Sequence, residues 1–209
     1  MGGLFGVASK DDCSLDLFYG TDYHSHLGTC RGGLAVLNGE GFTRNIHDIT
    51  NAQFRSKFED DVRDMEGNTG IGVISDNESQ PLIIGSHLGQ YAIVTVGAVT
   101  NIDKLARKAF RKKATHFSEM SGGGINPTEL TATLINQEPT FEEGIRKAQE
   151  SIEGSNSILL LTEHGIYAAR DRVGRTPVII GKRDEAYAIT FETTALTNLL
   201  EFDTVEALA

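Results

Sequence analysis

Short apolar runs, bounded by glycine and polar clusters, occupy both ends of the chain and predict β-strands there. The run 158–161, Ile-Leu-Leu-Leu, is apolar without interruption, so we expect a strand that is covered on both faces. The predicted strands are 4–8, 33–37, 70–75, 82–84, 91–99, 157–162, 165–170, 177–181 and 187–191.

Amphipathic helices are predicted in the middle of the chain, where apolar residues recur every three or four positions. Phe54, Phe58 and Val62 show this spacing on the first helix. Glu129 and Glu143 each stand three residues after an N-cap residue, so the third and fourth helices begin with a capping box. The four helices are predicted to follow Thr50, Asn101, Asn126 and Thr140, and a short fifth helix to lie around 195–200. Strands, then helices, then strands again predict two sheets with helical layers, which is an α+β fold.

The composition fits one globular domain. A chain of 209 residues buries roughly 70% of its unfolded surface, so it requires neither a disulfide nor a metal to fold. The 23 glycines exceed the average share of about 7%, which indicates tight turns and close backbone approaches. The net charge of −10 disfavours nucleic acid or an anionic membrane as a partner. No apolar run is long enough to span a membrane and no signal peptide is recognisable, so we predict a cytoplasmic protein.

Several short motifs, found in order along the chain, resemble one family. They are 1–7 (MGGLFGV), Arg31-Gly32, 67–72 (GNTGIG), Gln80-Pro81, 97–101 (GAVTN), 170–184 (RDRVGRTPVIIGKRD) and 191–196 (FETTAL). They are similar to the class II glutamine amidotransferase domain of the N-terminal-nucleophile (Ntn) hydrolase fold, in particular the glutaminase domain of glutamine phosphoribosylpyrophosphate amidotransferases. The resemblance implies a four-layer αββα sandwich, without a cofactor, that forms a single domain over 1–209. It implies no phosphoribosyltransferase domain here, so we expect no phosphoribosyl transfer unless a separate chain supplies it.

The resemblance assigns the reacting groups to three positions of this sequence. In the family, the residue after the initiator Met is a cysteine that attacks the glutamine amide, with its own α-amine as the base. Gly2 stands at that position and has no side chain, so no thioester can form there. The asparagine that stabilises the oxyanion falls on Val96, which cannot donate a hydrogen bond. Gly97 keeps the backbone N–H that serves as the other oxyanion donor.

Glutamine recognition is altered at the same implied pocket. The family's arginine for the glutamine carboxylate falls at about Ser75, and its aspartate for the α-amine falls on Pro127, while Arg31 keeps the family's residue type. Charge-assisted hydrogen bonds are the strong ones, so the loss of both removes most recognition of a free amino acid. We therefore predict a degenerate amidotransferase domain without glutaminase activity, which binds a small molecule in the remnant pocket or acts as a regulatory protein.

Two alternatives stay open. An amidohydrolase with altered chemistry would use the free amine of Gly2 as a base, with Arg31 and the Gly97 N–H as oxyanion donors. A docking subunit would instead bind a separate transferase or synthase, and domains of this family also associate with themselves.

The two cysteines offer a weaker candidate nucleophile. Cys30 precedes Arg31, whose charge would favour the thiolate. We interpret Cys30 as a packed, semi-buried thiol, because cysteine commonly behaves as a small hydrophobic residue. Cys13 lies in the polar stretch Asp11-Asp12-Cys13-Ser14, which predicts an exposed loop thiol.

His24 and His26 would lie on one face of an extended segment. Together with Asp22 and with His87 or Glu40 they could form a metal site of nitrogen and oxygen ligands. Histidines in a turn or an interface are the alternative interpretation, which we favour, so we predict no metal.

A basic helix is the strongest local charge feature. It carries Lys104, Arg107, Lys108, Arg111, Lys112 and Lys113, against the single acid Asp103. These side chains fall opposite the apolar face of the helix, so a solvated surface is one interpretation. The other is docking of the segment 104–113 onto an acidic protein surface or a phosphorylated ligand.

Overall fold

The computed structural model describes residues 2–76, 78–111, 117–118, 120–121 and 123–208. The strands are β1 (Gly3–Ala8), β2 (Arg31–Asn38), β3 (Gly41–Asp48), β4 (Thr69–Ser75), β5 (Leu82–Ser86), β6 (Gly89–Val99), β7 (Met120–Ser121), β8 (Gly124–Ile125), β9 (Gly154–Thr162), β10 (Gly165–Ala169), β11 (Ile179–Arg183), β12 (Ala186–Thr190) and β13 (Asp203–Ala207). The helices are α1 (Ser14–Tyr23), α2 (Phe54–Asp64), α3 (Ile102–Arg111), α4 (Pro127–Ile135) and α5 (Phe141–Ser151). A 3₁₀ turn covers His24–His26, and a π-helical turn covers Ala195–Leu199.

The strands pair in two large antiparallel sheets and one small hairpin. The larger sheet has the order β13-β11-β12-β1-β4-β2-β3, the smaller has the order β10-β9-β6-β5, and β7 pairs with β8. In the larger sheet Gly3 lies opposite Ile74, and Ser75 lies opposite Arg31. This register brings the start of β1, the end of β4 and the start of β2 to one edge of the fold.

Apolar clusters show that the two sheets are packed face to face with helices outside both. Residues of β1, β2 and β4 form one cluster with residues of β6 and β9, between the sheets. The helices α1 and α2 cover the outer face of the larger sheet, and α3, α4 and α5 cover that of the smaller sheet. The predicted four-layer αββα sandwich is therefore confirmed. Within the described part of the chain, no helix is both long and apolar enough to cross a membrane.

The apolar run of β9 shows why its sequence has no polar alternation. Ile158 and Leu160 pack towards the helices α4 and α5, whereas Leu159 and Leu161 pack between the sheets. All four side chains are almost fully buried. The prediction of a strand covered on both faces is confirmed.

The connection between β4 and β5, which joins the two sheets, is held by the side chain of Gln80. Along the edge of β6 that faces β5, the pairing begins at Leu82 and Ile93, so the backbone of Thr95 has no strand partner at this edge. The Gln80 amide fills this place, because Nε2 donates to the Thr95 oxygen at 3.0 Å and Oε1 accepts from the Thr95 nitrogen at 2.7 Å. A Cβ at Gly33 would lie only 1.7 Å from the Gln80 carbonyl oxygen, so the segment is wedged between β2 and β6.

Four elements of the fold were absent from the sequence prediction: α1, β3, β13 and the β7–β8 hairpin. The apolar residues of α1 do not form one stripe, since Leu17 and Phe18 are buried while Leu15 and Tyr19 are exposed. Packing of Leu17 and Phe18 on the larger sheet overrides this weak pattern. The strand β3 is an edge strand with many polar residues, so it lacks the apolar run of a buried strand.

The environment of Cys13 differs from the prediction. Its side chain is 1% exposed and belongs to the cluster between α1, α2 and the larger sheet. Burial, with smaller contributions from the charges of Asp12 and Asp16, raises the pKa of the Cys13 thiol to about 12. The expectation of an exposed loop thiol was therefore wrong, because Asp11 and Asp12 are exposed while the thiol of Cys13 faces inward.

Replacement of Gln80 by leucine tests the connection between the sheets. Gln80→Leu keeps the volume but leaves the N–H and the carbonyl of Thr95 without partners, so we expect a loss of about 2–6 kcal/mol of unfolding free energy. Equilibrium urea denaturation measures this loss. Gln90→Leu is the matched control, because Gln90 is exposed at the start of β6. Equal effects of the two substitutions would contradict the assigned role of Gln80.

Candidate functional site

A small cavity lies where the ends of several strands meet the start of α4. Its volume is about 70 Å³, which is room for a group of a few heavy atoms. Of the six residues that the resemblance assigns to the pocket, five line this cavity: Gly2, Ser75, Val96, Gly97 and Pro127. The strand register explains this meeting, because Gly2 directly precedes the pair Gly3–Ile74 and Ser75 directly follows it.

Position 2 has no room for a side chain on this backbone. A Cβ built on Gly2 would lie 2.2 Å from the carbonyl oxygen of Ile74 and 3.2 Å from its carbonyl carbon. Real Cβ atoms essentially never approach a backbone oxygen so closely. A cysteine here would therefore require β1 to move away from β4.

The two implied oxyanion positions lie on β6 beside the cavity. Val96 is 8% exposed and belongs to the apolar cluster between the sheets, so it offers no hydrogen-bond donor from its side chain. Gly97 lies opposite Asn156 of β9, and a Cβ there would be 2.1 Å from the carbonyl oxygen of Ser155. Only the backbone of Gly97 is thus available to a ligand at this position.

The two implied recognition positions carry no charge. Ser75 donates its hydroxyl proton to Glu78 Oε2 at 2.9 Å. Pro127 is the first residue of α4, whose first turn is capped by the Asn126 side chain through the nitrogens of Thr128 and Glu129. Proline suits this first helical position because it needs no N–H there. These two positions therefore lack the arginine and the aspartate that the resemblance implies for binding glutamine.

The sixth position, Arg31, points elsewhere. Its Nη1 lies 2.9 Å from Asp48 Oδ2 on the neighbouring strand β3. The Asp48 carboxyl has a pKa below its usual range, mainly because Thr50 donates hydrogen bonds to it, with Arg31 as a lesser cause. Arg31 is not among the residues that line the cavity. The structure therefore does not support Arg31 as a donor to a ligand in the cavity.

Four polar residues line the cavity that sequence reasoning did not single out: Asp76, Glu78, Thr95 and Asn156. Asp76 and Glu78 follow the predicted buried strand β4 directly, so their place at a strand end was the available signal. No comparable signal marks Thr95 and Asn156, because Thr95 lies within the apolar run of β6 and Asn156 lies between two serines at the start of β9. Their positions become visible only when β6 and β9 pair.

Thr95 and Asn156 connect the cavity to α4 through buried hydrogen bonds. The hydroxyls of Thr95 and Thr128 lie 2.7 Å apart, and Asn156 Nδ2 donates to Thr131 Oγ1 at 2.9 Å. Thr131 in turn donates to the carbonyl oxygen of Pro127. These bonds fix the wall of the cavity against the first turn of α4.

The candidate nucleophile and the candidate metal ligands lie outside the cavity. Cys30 is half-buried, as predicted, and does not line the cavity. His24 bonds the Gly20 oxygen and Thr190 Oγ1, whereas His26 bonds the Tyr23 oxygen and Glu192. The segment is a 3₁₀ turn, so the expected extended arrangement of the two imidazoles was wrong.

Two of the other candidate metal ligands are also engaged elsewhere. Asp22 pairs with Arg55, and His87 bonds the Glu138 carbonyl oxygen. Over the described ranges, no group of three or more His, Cys, Asp or Glu residues is arranged to hold a metal ion.

The basic helix is confirmed as α3 over its described part. Lys104 pairs with Glu153 at 2.9 Å. Lys108 lines a very small cavity, of about 10 Å³, together with Lys147 of α5. The residues 112 and 113 lie outside the described ranges. Docking of the segment 104–113 onto an acidic partner stays a prediction, as does association of the chain with itself.

Comparisons with known proteins agree with the fold. A family model described as "Glutamine amidotransferase domain" matches residues 68–198. The amidophosphoribosyltransferase of Methanocaldococcus jannaschii is 25% identical, over 95% of this chain and 44% of that protein. That of Haemophilus influenzae is also 25% identical, over 100% of this chain and 45% of that protein.

A solved structure shows the same fold. The glutamine phosphoribosylpyrophosphate amidotransferase from B. subtilis, complexed with ADP and GMP, superposes with a TM-score of 0.85 at 22% identity, over 99% of this chain and 45% of that one. The αββα sandwich with a cavity at the start of β1 is thus an Ntn hydrolase fold. The chain belongs to the glutamine amidotransferase domain family, and its relatives place it in class II. It spans less than half the length of the curated relatives named above.

His24 makes stability dependent on pH, because it is buried beside the first residues of β1. Burial lowers the pKa of His24 from 6.5, although its bond to Gly20 and the charge of Glu192 act in the opposite direction. The unfolded chain therefore binds a proton at His24 more readily than the folded chain does. The contribution of uncharged His24 to the free energy of unfolding is therefore fully present above about pH 6.5 and is lost as the pH falls below that value.

We expect wild type to lose more stability between about pH 8 and about pH 5 than the variant His24→Gln. Urea denaturation at both pH values measures the difference. His164→Gln is the control, because the His164 side chain is 77% exposed. Parallel pH profiles of wild type and His24→Gln would contradict the assignment to His24.

Proposed function

We propose that this domain has lost glutaminase chemistry and acts as a binding or regulatory protein. One observation carries the proposal: the position at which the family has its nucleophilic cysteine is Gly2, and the Ile74 carbonyl oxygen occupies the place of a Cβ. Without a thiol, the covalent route through a thioester is closed. The relatives called amidophosphoribosyltransferases are more than twice as long as this chain, so we do not propose phosphoribosyl transfer for it.

The loss of transition-state stabilisation supports the same proposal. Val96 supplies no side-chain donor at the position of the family's oxyanion asparagine. Removing one such donor costs about 3 kcal/mol in the transition state. An amidohydrolase that used an amine at position 2 would lack this donor as well, and Arg31 is paired with Asp48 away from the cavity. The arrangement therefore favours binding over altered chemistry.

The loss of substrate recognition is a third, independent support. Ser75 and Pro127 replace the two charged partners of the glutamine zwitterion, and both residues line the cavity. Neither residue can offer a charge-assisted hydrogen bond at its position, and such bonds are about twice as strong as neutral ones. A remnant pocket that retains its walls but lacks these partners is suited to a different small ligand.

Ammonia release from glutamine tests the proposal. We expect purified wild type, incubated with excess glutamine in a coupled ammonia assay, to release ammonia no faster than buffer alone. The reason is the absence of a nucleophile and of a side-chain oxyanion donor. Ammonia release proportional to protein concentration would overturn the proposal.

A cysteine at position 2 extends this test. Gly2→Cys is expected to stay inactive and to lose about 1–3 kcal/mol of stability, because the new Cβ overlaps the Ile74 carbonyl. Gly85→Cys is the matched control, since a Cβ there meets no atom within 4 Å. A gain of glutaminase activity in Gly2→Cys without loss of stability would show that position 2 accepts a side chain.

A further inference from the structure

We propose that an open cleft, at the end of the sandwich away from Gly2, binds a small organic cation that carries an apolar group beside its positively charged nitrogen. The cleft is separate from the cavity beside Gly2, because no described residue lines both. The inference therefore goes beyond the proposed function and does not depend on the loss of glutaminase chemistry.

The cleft forms where three hairpin turns meet the start of α5. The turns join β2 to β3, β5 to β6 and β9 to β10, and Phe141 begins α5. The strand β1 follows Gly2 of the first cavity and ends at Ala8, which lines the cleft. The cleft has a volume of about 850 Å³, and small-molecule sites commonly have volumes of roughly 300–1,000 Å³.

Glycines keep the cleft open at the ends of the turns. Gly41, Gly89 and Gly165 begin β3, β6 and β10, and all three line the cleft. A Cβ at any of these positions would meet no atom within 4 Å. No side chain therefore fills the space at these three positions, and a ligand can enter there.

Apolar side chains from both layers of the core form the inner wall of the cleft. Leu37 and Phe42 are half-buried and pack on the cluster between the sheets. Leu88 and Phe141 are also half-buried, and they pack on the cluster between the smaller sheet and its helices. An apolar group in the cleft would cover the exposed parts of these side chains and displace water from them. The wall therefore favours a ligand with an apolar group.

The charge of the cleft is the second, independent argument. The titratable residues that line it are Glu40, Glu163 and His164, and the described lining residues include no Lys or Arg. Glu163 pairs with His164 at 3.5 Å, but the imidazole is charged only when it is protonated. With this histidine neutral, the cleft carries two negative charges and no positive charge. It then attracts a cation and repels a phosphate or a carboxylate.

The carboxylate of Glu40 is not neutralised from outside the cleft. Lys10 lies with Glu40 on an adjoining groove, but its ammonium group is paired with Glu185. Within the described ranges, Glu40 takes part in no ion pair. Its negative charge is therefore available to a ligand.

Hydrogen bonds within the turns hold the two acidic residues beside the cleft. Asn38 Nδ2 donates to the Glu66 oxygen, and Asn38 Oδ1 accepts from the Glu40 nitrogen, both at 2.9 Å. Thr162 Oγ1 accepts from the His164 nitrogen at 3.2 Å. The backbone that carries the carboxylates is thus positioned before a ligand arrives, which lowers the entropic cost of binding.

The two requirements together define the probe. We choose 2-phenylethylammonium, because its ring suits the apolar wall and its ammonium group suits the carboxylates. An inorganic cation would satisfy the charge but would leave the apolar wall exposed to water. A neutral aromatic molecule would cover the wall but would leave both carboxylates without a partner.

Isothermal titration with 2-phenylethylammonium chloride tests the proposal at about pH 8.5, above the range in which histidine usually changes its charge. We expect saturable binding to wild type that is weakened about two- to fivefold in Glu40→Gln and in Glu163→Gln, because exposed ion pairs contribute modestly. In the double variant the two effects should combine to about tenfold. Both glutamates are exposed, so the variants should stay folded. Glu150→Gln is the matched control, because Glu150 is an exposed acid near the other end of α5 from Phe141.

Three relatives of the probe separate the contributions of charge and apolar contact. They are the neutral 2-phenylethanol, the anionic 3-phenylpropionate and methylammonium, which lacks the ring. Each is expected to bind at least about tenfold more weakly than 2-phenylethylammonium, because each lacks one of the two complementary features. Equal binding of any of the three would overturn the proposal. So would absence of saturable binding of the probe, or an equal loss of affinity in Glu150→Gln.

Backbone amide NMR spectra locate the bound probe. We expect the amide signals of Gly41, Gly89 and Gly165 to shift during the titration, since all three residues line the cleft. Gly97 lines the other cavity and should not shift. Shifts at Gly97 without shifts at the three cleft glycines would assign the probe to the other cavity and contradict the proposal.

Discussion

The side chain of Gln80 holds together the part of the fold on which the cavity depends. It replaces a missing strand partner of Thr95 by pairing with both backbone groups of that residue. Its own carbonyl oxygen lies against Gly33 of the other sheet, where no side chain could fit. The connection between the sheets is therefore fixed at one end of the sandwich. Because Thr95 is also bonded to α4 through Thr128, the same residue sets the position of that helix.

The chemistry of the cavity follows from this tight packing. The ends of β1 and β4 lie so close that the backbone at Gly2 meets the Ile74 carbonyl, and no nucleophile can be placed there without moving a strand. The wall of the cavity beside Gly2 carries the side chains of Asp76, Glu78 and Asn156. At the position where the resemblance implies a nucleophile, the same framework thus forms a small cavity lined by glycine and polar residues.

The sequence was sufficient for elements whose own pattern decides their structure. The capped helices α4 and α5 and the apolar strand β9 are of this kind, because caps and continuous apolar runs are local signals. The helix α1 was missed because its stability comes from packing on the larger sheet. Five of the six positions that the resemblance implies line the cavity, but the resemblance could not show that Arg31 turns to Asp48, nor that Asn156 bonds to Thr131 of α4. Those facts depend on side-chain partners from other strands.

The most direct measurement of the central claim, that this domain cannot form a covalent adduct with a glutamine-like substrate, is intact-protein mass spectrometry. Wild type and Cys30→Ser would be incubated with an electrophilic chloroketone analogue of glutamine. Cys13 is buried and its thiol pKa is raised to about 12, so it should not react. We expect the mass of both proteins to stay unchanged. A stoichiometric adduct on wild type that Cys30→Ser lacks, or an adduct at residue 2, would contradict it.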